Sequence, residues 1–305
     1  MCTRASRASG LYADNARHQS SYEARELEGA LAALSEIIRR EPDTPVWYER
    51  RGQVTSLSRA SINRVLPASL AKARPATAAT HRSCNQVLVD LKRFREALAD
   101  FDAAVSRQPA AFVSLGLLAN RALAREGLAD WAGAAADYTT ALQLAAAVGF
   151  DAPYLLNGRG NCRVLLADYE GALADFRAAA AVFQKIKNLS GVIFADSNAA
   201  LVEAQLGRPD ATAHIASVAR RAAGSIDMRA ALAAQRWAAG DEEGAEAAWN
   251  WACTAINSGV VTPGGPVLDG CALYRDDAWL RGVRRWPPLM ADRLADFLAL
   301  RPPRT

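Results

Sequence analysis

Four stretches of this chain carry one spacing of small and aromatic residues, and that spacing leaves few folds open. They are 94–109, 131–144, 169–182 and 242–253. Each places a small residue, an aromatic four positions later and a second small residue three further on. The sets are Ala97, Phe101 and Ala104; Ala134, Tyr138 and Ala141; Ala172, Phe176 and Ala179; Ala245, Trp249 and Ala252. Steps of three and four put each set on one face of a helix. The small residues admit a neighbouring helix, and the aromatic fills the gap it leaves. With 67 alanines, the chain is also rich in the best helix former.

Another helical stretch precedes the last three of these, at 117–130, 154–168 and 227–240, and a further one stands at 194–207. Gly160 lies nine residues before Tyr169, and Ala122 holds the same place before Trp131. A small residue there lets two helices cross closely. The pattern resembles the tetratricopeptide repeat, a helical hairpin of about 34 residues with small residues at three fixed places. The resemblance covers most of 26–253. Its fifth unit, 192–220, is degenerate, with Pro209 and Ala216 where aromatics are usual. It implies an all-α fold: a right-handed superhelical array of about five to six hairpins, closed by C-terminal capping helices.

One segment breaks the period. The second helix at 94–109 is a strong match, but its first helix is missing just before it. Deleting 54–86 and rejoining restores a 34-residue step, with Tyr48 and Gly52 in place and Pro42 closing the unit before. Residues 54–86 contain five basic residues and no Asp or Glu, so the net charge of +4 comes from here. Outside it, 31 basic residues face 32 acidic ones, a net of −1. The segment reads as a poorly packed basic insertion. Valine codons begin with GT and a glutamine codon can end in AG, so Val54–Gln86 fits an in-frame retained intron. A genuine basic loop that recruits a partner is the competing reading.

At the N-terminus, 1–25 carries four arginines and four serines against two acids. It reads as a disordered end or an organelle transit peptide. At the other end, 254–305 is expected to be a turn-rich loop followed by a helical cap. Asp276 and Asp277 should start a short helix running through Arg285. Pro287 and Pro288 should interrupt it, and 289–300 should form the last helix. Trp279, Trp286 and Phe297 are expected in the core of this cap. The stretch DDAWLRGVRRWPPLM is similar to the C-terminal part of plant and algal plastid tetratricopeptide proteins, which implies a chloroplast setting; otherwise the reading is cytoplasmic.

Chemistry has little to draw on. The three histidines are His18, His81 and His214; the last is expected on a helix surface. No Walker loop or strand-linked GxGxxG occurs. Glu242 and Glu243 read as a helix start, and Cys162 and Cys271 as buried structural residues. Cysteines at 2, 84, 162, 253 and 271 show no CxxC spacing. A disulfide framework is therefore not expected, and a reducing compartment fits. No run of about 18 apolar residues spans a membrane. No catalytic residues, metal site or cofactor are expected, and nothing sets the oligomeric state.

The resemblance places a binding groove along the first helix of each hairpin. Its lining reads Glu49 and Gln53; Asn120 and Leu123; Tyr154, Asn157 and Asn161; Phe194, Ser197 and Asn198; Asp227 and Trp237. Asn side chains donate and accept, which suits an extended backbone, while Tyr154, Phe194 and Trp237 could hold apolar side chains. The site residues expected are Asn120, Tyr154, Asn157, Asn161, Phe194, Asn198 and Trp237, on a non-enzymatic scaffold for a protein or peptide segment. Members that clamp a terminal carboxylate use cations here, and only Asn120 fits that set, so such tails are not expected ligands. The alternative is an RNA-binding helical repeat. That needs a basic groove, and this one is neutral, with Glu49 and Asp227 in it.

Overall fold

The computed structural model describes residues 29, 31–56, 94–109, 113–222, 224–256 and 270–301. The N-terminal segment 1–25, and all of the segment 54–86 beyond residue 56, expected to be an insertion, lie outside them. Among the described residues every regular element is a helix. In order they are α1 (31–40), α2 (Pro45–Ser56), α3 (Phe94–Ser106), α4 (Leu115–Gly127) and α5 (Trp131–Ala147). Then come α6 (Pro153–Leu165), α7 (Tyr169–Lys185), α8 (Leu189–Gln205), α9 (Ala211–Arg221), α10 (Ile226–Ala238) and α11 (Glu242–Asn250). A π-helical stretch, Trp251–Ile256, follows, then α12 (Gly270–Arg275), α13 (Asp277–Gly282) and α14 (Pro288–Leu298). The chain forms two compact units, Met1–Asp137 and Tyr138–Thr305.

In the first unit α2 packs on α3, and α3 on α4. Tyr48, Phe101, Leu117 and Ala124 share a core with Ile38. α2 and α3 thus pack as a pair. Arg51 bridges them: Nε and Nη2 donate to the two oxygens of buried Asp100 at 2.9 and 2.7 Å, across 49 residues of chain. Taking away the 33 residues of 54–86 leaves 16. That is the separation of Arg121 from Asp137 and of Arg159 from Asp175, which pair in the same bidentate way.

In the second unit, α6 through α11 pack successively. The small–aromatic–small sets are buried throughout, with Ala97, Ala104, Ala134, Ala141, Ala172, Ala179, Ala245 and Ala252 all fully enclosed. The close crossing at Gly160 is real: a Cβ there would lie 2.6 Å from Cε1 of Phe176.

The turns inside hairpins repeat one device. Each first helix ends with a residue at positive φ: Ala129 (59°), Ala167 (60°), Gly207 (65°) and Gly240 (78°). The next amide then reaches back to a carbonyl five residues earlier, as in Asp168 N to Arg163 O at 2.9 Å, satisfying an end carbonyl. Where that next residue is aspartate, its carboxylate caps the second helix. Asp130, Asp168 and Asp241 accept from the amides of Gly133, Gly171 and Gly244 at 2.9, 3.1 and 2.9 Å. Arg125, Arg163 and Arg236 donate to the carbonyls of those same glycines at 3.0, 3.1 and 3.0 Å. The motif Arg-x4-Asp-x2-Gly therefore marks three turns and fixes the register of the two helices within each hairpin.

At the C-terminus α12, α13 and α14 cover the array's last hairpin. Trp286, Met290, Leu294 and Phe297 bury themselves against α10 and α11, and Trp279 packs at the edge. The boundaries differ from expectation. α13 stops at Gly282, and Arg285 takes a positive φ of 62°. Pro288 starts α14 instead of preceding it, because a proline at the first helical position forfeits an amide that would be unpaired anyway. A second correction concerns the cysteines. Cys253 and Cys271 form a disulfide with Cα atoms 5.6 Å apart, which ties the π-helical stretch to the cap. Their spacing of 18 gave no sign of it, because the cap's packing brings them together. A reducing compartment would oppose this bond.

Candidate functional site

The repeated Arg-x4-Asp turn sets equivalent positions on the first helices. Two residues past Arg125, Arg163, Glu203 and Arg236 each first helix ends. Counting back from there aligns Gly116, Tyr154, Phe194 and Asp227, and likewise Ala119, Asn157, Ser197 and Ala230. In the second unit the candidate face therefore runs across α6, α8 and α10.

On α6, Pro153 stands in the first turn with φ preset for a helix, so Tyr154 lies at the helix start. Its ring is 67% exposed, meets Phe183 edge-on at 4.9 Å, and its hydroxyl accepts from Asn188 Nδ2 at 3.1 Å. Asn188 also caps α8 by accepting from Gly191 N at 2.9 Å. One amide thus ties the ring to the next helix. A turn further on, Asn157 is buried, and neither its Nδ2 nor its Oδ1 finds a hydrogen-bond partner. Leaving both ends of a buried amide unmet is costly and rare. Asn161 follows four residues later and is half-buried. On α8, Phe194 is exposed, while Ser197 is buried and spends its hydroxyl on the carbonyl of Ile193 at 2.7 Å.

Besides Asn157, two more of the expected site residues are buried. Trp237 is buried under α14: its ring meets Phe297 edge-on at 5.6 Å and its Nε1 donates to the carbonyl of Arg301 at 2.8 Å. Asn198 is buried as well, with Oδ1 accepting from Arg284 Nη1 at 3.1 Å. Asp227 belongs to the same closed region. It accepts from Arg284 Nε, Tyr274 Oη and Trp286 Nε1 at 2.9, 3.0 and 2.9 Å, and from Arg284 Nη2. The cap therefore occupies the inner face of the last hairpin, and in this unit the accessible residues are Tyr154, Asn161 and Phe194, with Asn157 just beneath. Asn120, on α4 of the first unit, is half-buried.

His214 stands part-exposed on α9 and is paired: Nδ1 sits 2.8 Å from Glu203 Oε2, and Arg177 Nη2 donates to Glu203 Oε1 at 2.8 Å. Burial pushes the Glu203 carboxyl up, but these two hydrogen bonds outweigh it and hold it below the usual carboxylate range. Glu203 stands where the other hairpins carry the turn arginine. The fifth hairpin thus inverts the charge of the motif, with Arg208 in the aspartate's place.

The buried Arg–Asp pairs themselves were missed by sequence reasoning. Asp137 takes both Arg121 and Arg125, and Asp175 takes both Arg159 and Arg163, each at 2.6–2.8 Å. Two arginines one turn apart, with an aspartate 12 and 16 residues on, was the available signal. Among the described residues no helix is long and apolar enough to cross a membrane.

No protein-family model and no curated protein matches the chain. Among solved structures, it is similar to BtubC (BKLC) from P. vanneervenii, with 14% identity and a TM-score of 0.54. The match covers 81% of this chain and 94% of that one. At that identity the likeness is one of fold.

Proposed function

We propose that the chain is a non-enzymatic scaffold of the tetratricopeptide type that holds an extended protein segment against α6 and α8. The observation that carries this reading is Asn157, a buried amide with both polar ends unmet, beside exposed Tyr154 and Phe194. A primary amide offers one donor and one acceptor to a peptide group, and a side-chain rotation turns both toward a bound backbone. Tyr154 and Phe194 supply apolar contact on consecutive first helices. The cap bounds the ligand on the α10 side, because Asp227, Asn198 and Trp237 are already engaged. A plastid setting follows from the resemblance of the C-terminal stretch.

Affinity capture from plastid extract tests this, comparing wild type with a double Asn157→Ala, Asn161→Ala variant. We expect the variant to lose the captured protein by about tenfold, the worth of one or two hydrogen bonds to a buried amide. Equal recovery by both, with equal helicity by circular dichroism, would show that this face is not the binding surface.

A further inference from the structure

A second surface lies on the other side of α8. At about 100° per residue, Leu189, Val192 and Asp196 fall some 160° away from Phe194, Ser197 and Asn198. They line a shallow groove of about 440 Å³ together with Ala180 and Gln184 of α7, Lys187 of the turn and Arg221 of α9. The apolar part is Ala180, Leu189 and Val192; Leu189 is 67% exposed, too open to serve as core. The helices around it are held rigidly. Gly191 lies against the ring of Phe183, where a Cβ would come within 2.3 Å of Cδ1, so α7 and α8 cannot part without losing that contact.

The charge around the groove decides what fits it. Asp196 is neutralised by Arg221, whose Nη2 donates to Oδ2 at 2.6 Å. Arg221 is exposed and keeps further N–H donors at the rim. Lys187 makes no ion pair among the described residues and stands exposed on the turn. Lys187 and Arg221 against Asp196 leave the groove one positive charge in excess beside an apolar floor. We propose that this groove docks a short segment of another protein in which an aliphatic side chain stands next to a carboxylate. The aliphatic group covers Leu189, Val192 and Ala180, while the carboxylate meets Lys187 and the free edge of Arg221. This surface does not depend on Asn157, and the two readings can fail separately.

The test is selection from a random heptapeptide phage library on the full chain, followed by affinities of the selected peptides. We expect enrichment of peptides with Leu, Ile or Val beside Asp or Glu. Their affinity should fall roughly five- to tenfold on Lys187→Glu and be unchanged by Asn157→Ala. Changing the peptide's acid to lysine should restore binding to the Lys187→Glu variant. Failure to enrich acidic peptides, affinities within twofold on Lys187→Glu, or loss on Asn157→Ala alone would each overturn the proposal. So would sedimentation showing self-association abolished by Leu189→Asp, which would make a second copy of this chain the occupant.

Discussion

Asp227 sits in the first turn of α10 and collects four donors, all from the cap. Arg284 is the costly one to strand, since a largely buried guanidinium has little water to replace its counterion. Asp227→Asn keeps the shape and removes the charge; it should lower unfolding free energy by about 3–5 kcal/mol in urea titrations. Tyr274 reports on the same cluster. Burial, then the Asp227 charge, pushes its phenol well above 10.0. The fold therefore favours the protonated phenol. That stability is intact below the unfolded phenol's pKa and fades as pH rises beyond it toward the folded value. Unfolding free energy should fall more steeply above pH ~10 in wild type than in Tyr274→Phe, which lacks the ionising group. Parallel alkaline profiles would show that Tyr274 does not titrate differently on unfolding.

Between elements, contact distance is set by single atoms. Gly160 lies under Phe176, a ring with 1% exposure that cannot retreat. Gly160→Ala gains about 1 kcal/mol of helix propensity and loses about 1–3 kcal/mol to overpacking, so the net should be a modest destabilisation. With Phe176→Leu in the background the clash has no source, and the same change should become neutral or stabilising. A double-mutant cycle by thermal denaturation reads the difference. The spacing of small and aromatic residues announced these crossings from sequence. The Arg–Asp pairs were less legible, because charged residues in a helical pattern ordinarily read as a solvated face. Only packing shows that Asp100, Asp137 and Asp175 are enclosed.

At the scale of the whole molecule, the segment 54–86 is the feature most open to experiment. Arg51 finds Asp100 as Arg121 finds Asp137, once 33 intervening residues are discounted. A chain lacking 54–86 should therefore keep its helicity, with a melting temperature equal to or slightly above that of the full chain, since a shorter loop costs less entropy to close. A large loss of helicity would mean that the segment supplies part of the hairpin.

Periodicity by itself determined the helical class and the hairpin pairing, because each follows from local spacing along one helix face. Tertiary structure alone decided how buried polar residues are met. Asn157 and Asn198 look alike as letters and both are buried; Asn157 is left unmet at both ends, while Asn198 gives its Oδ1 to Arg284, 86 residues away, and leaves only Nδ2 unmet. Trp237, a plausible anchor by its position, lies beneath α14, and Cys253 meets Cys271, because the cap folds back over the last hairpin. Contacts between segments distant in the chain depend on where the cap comes to rest, and no repeat period encodes that.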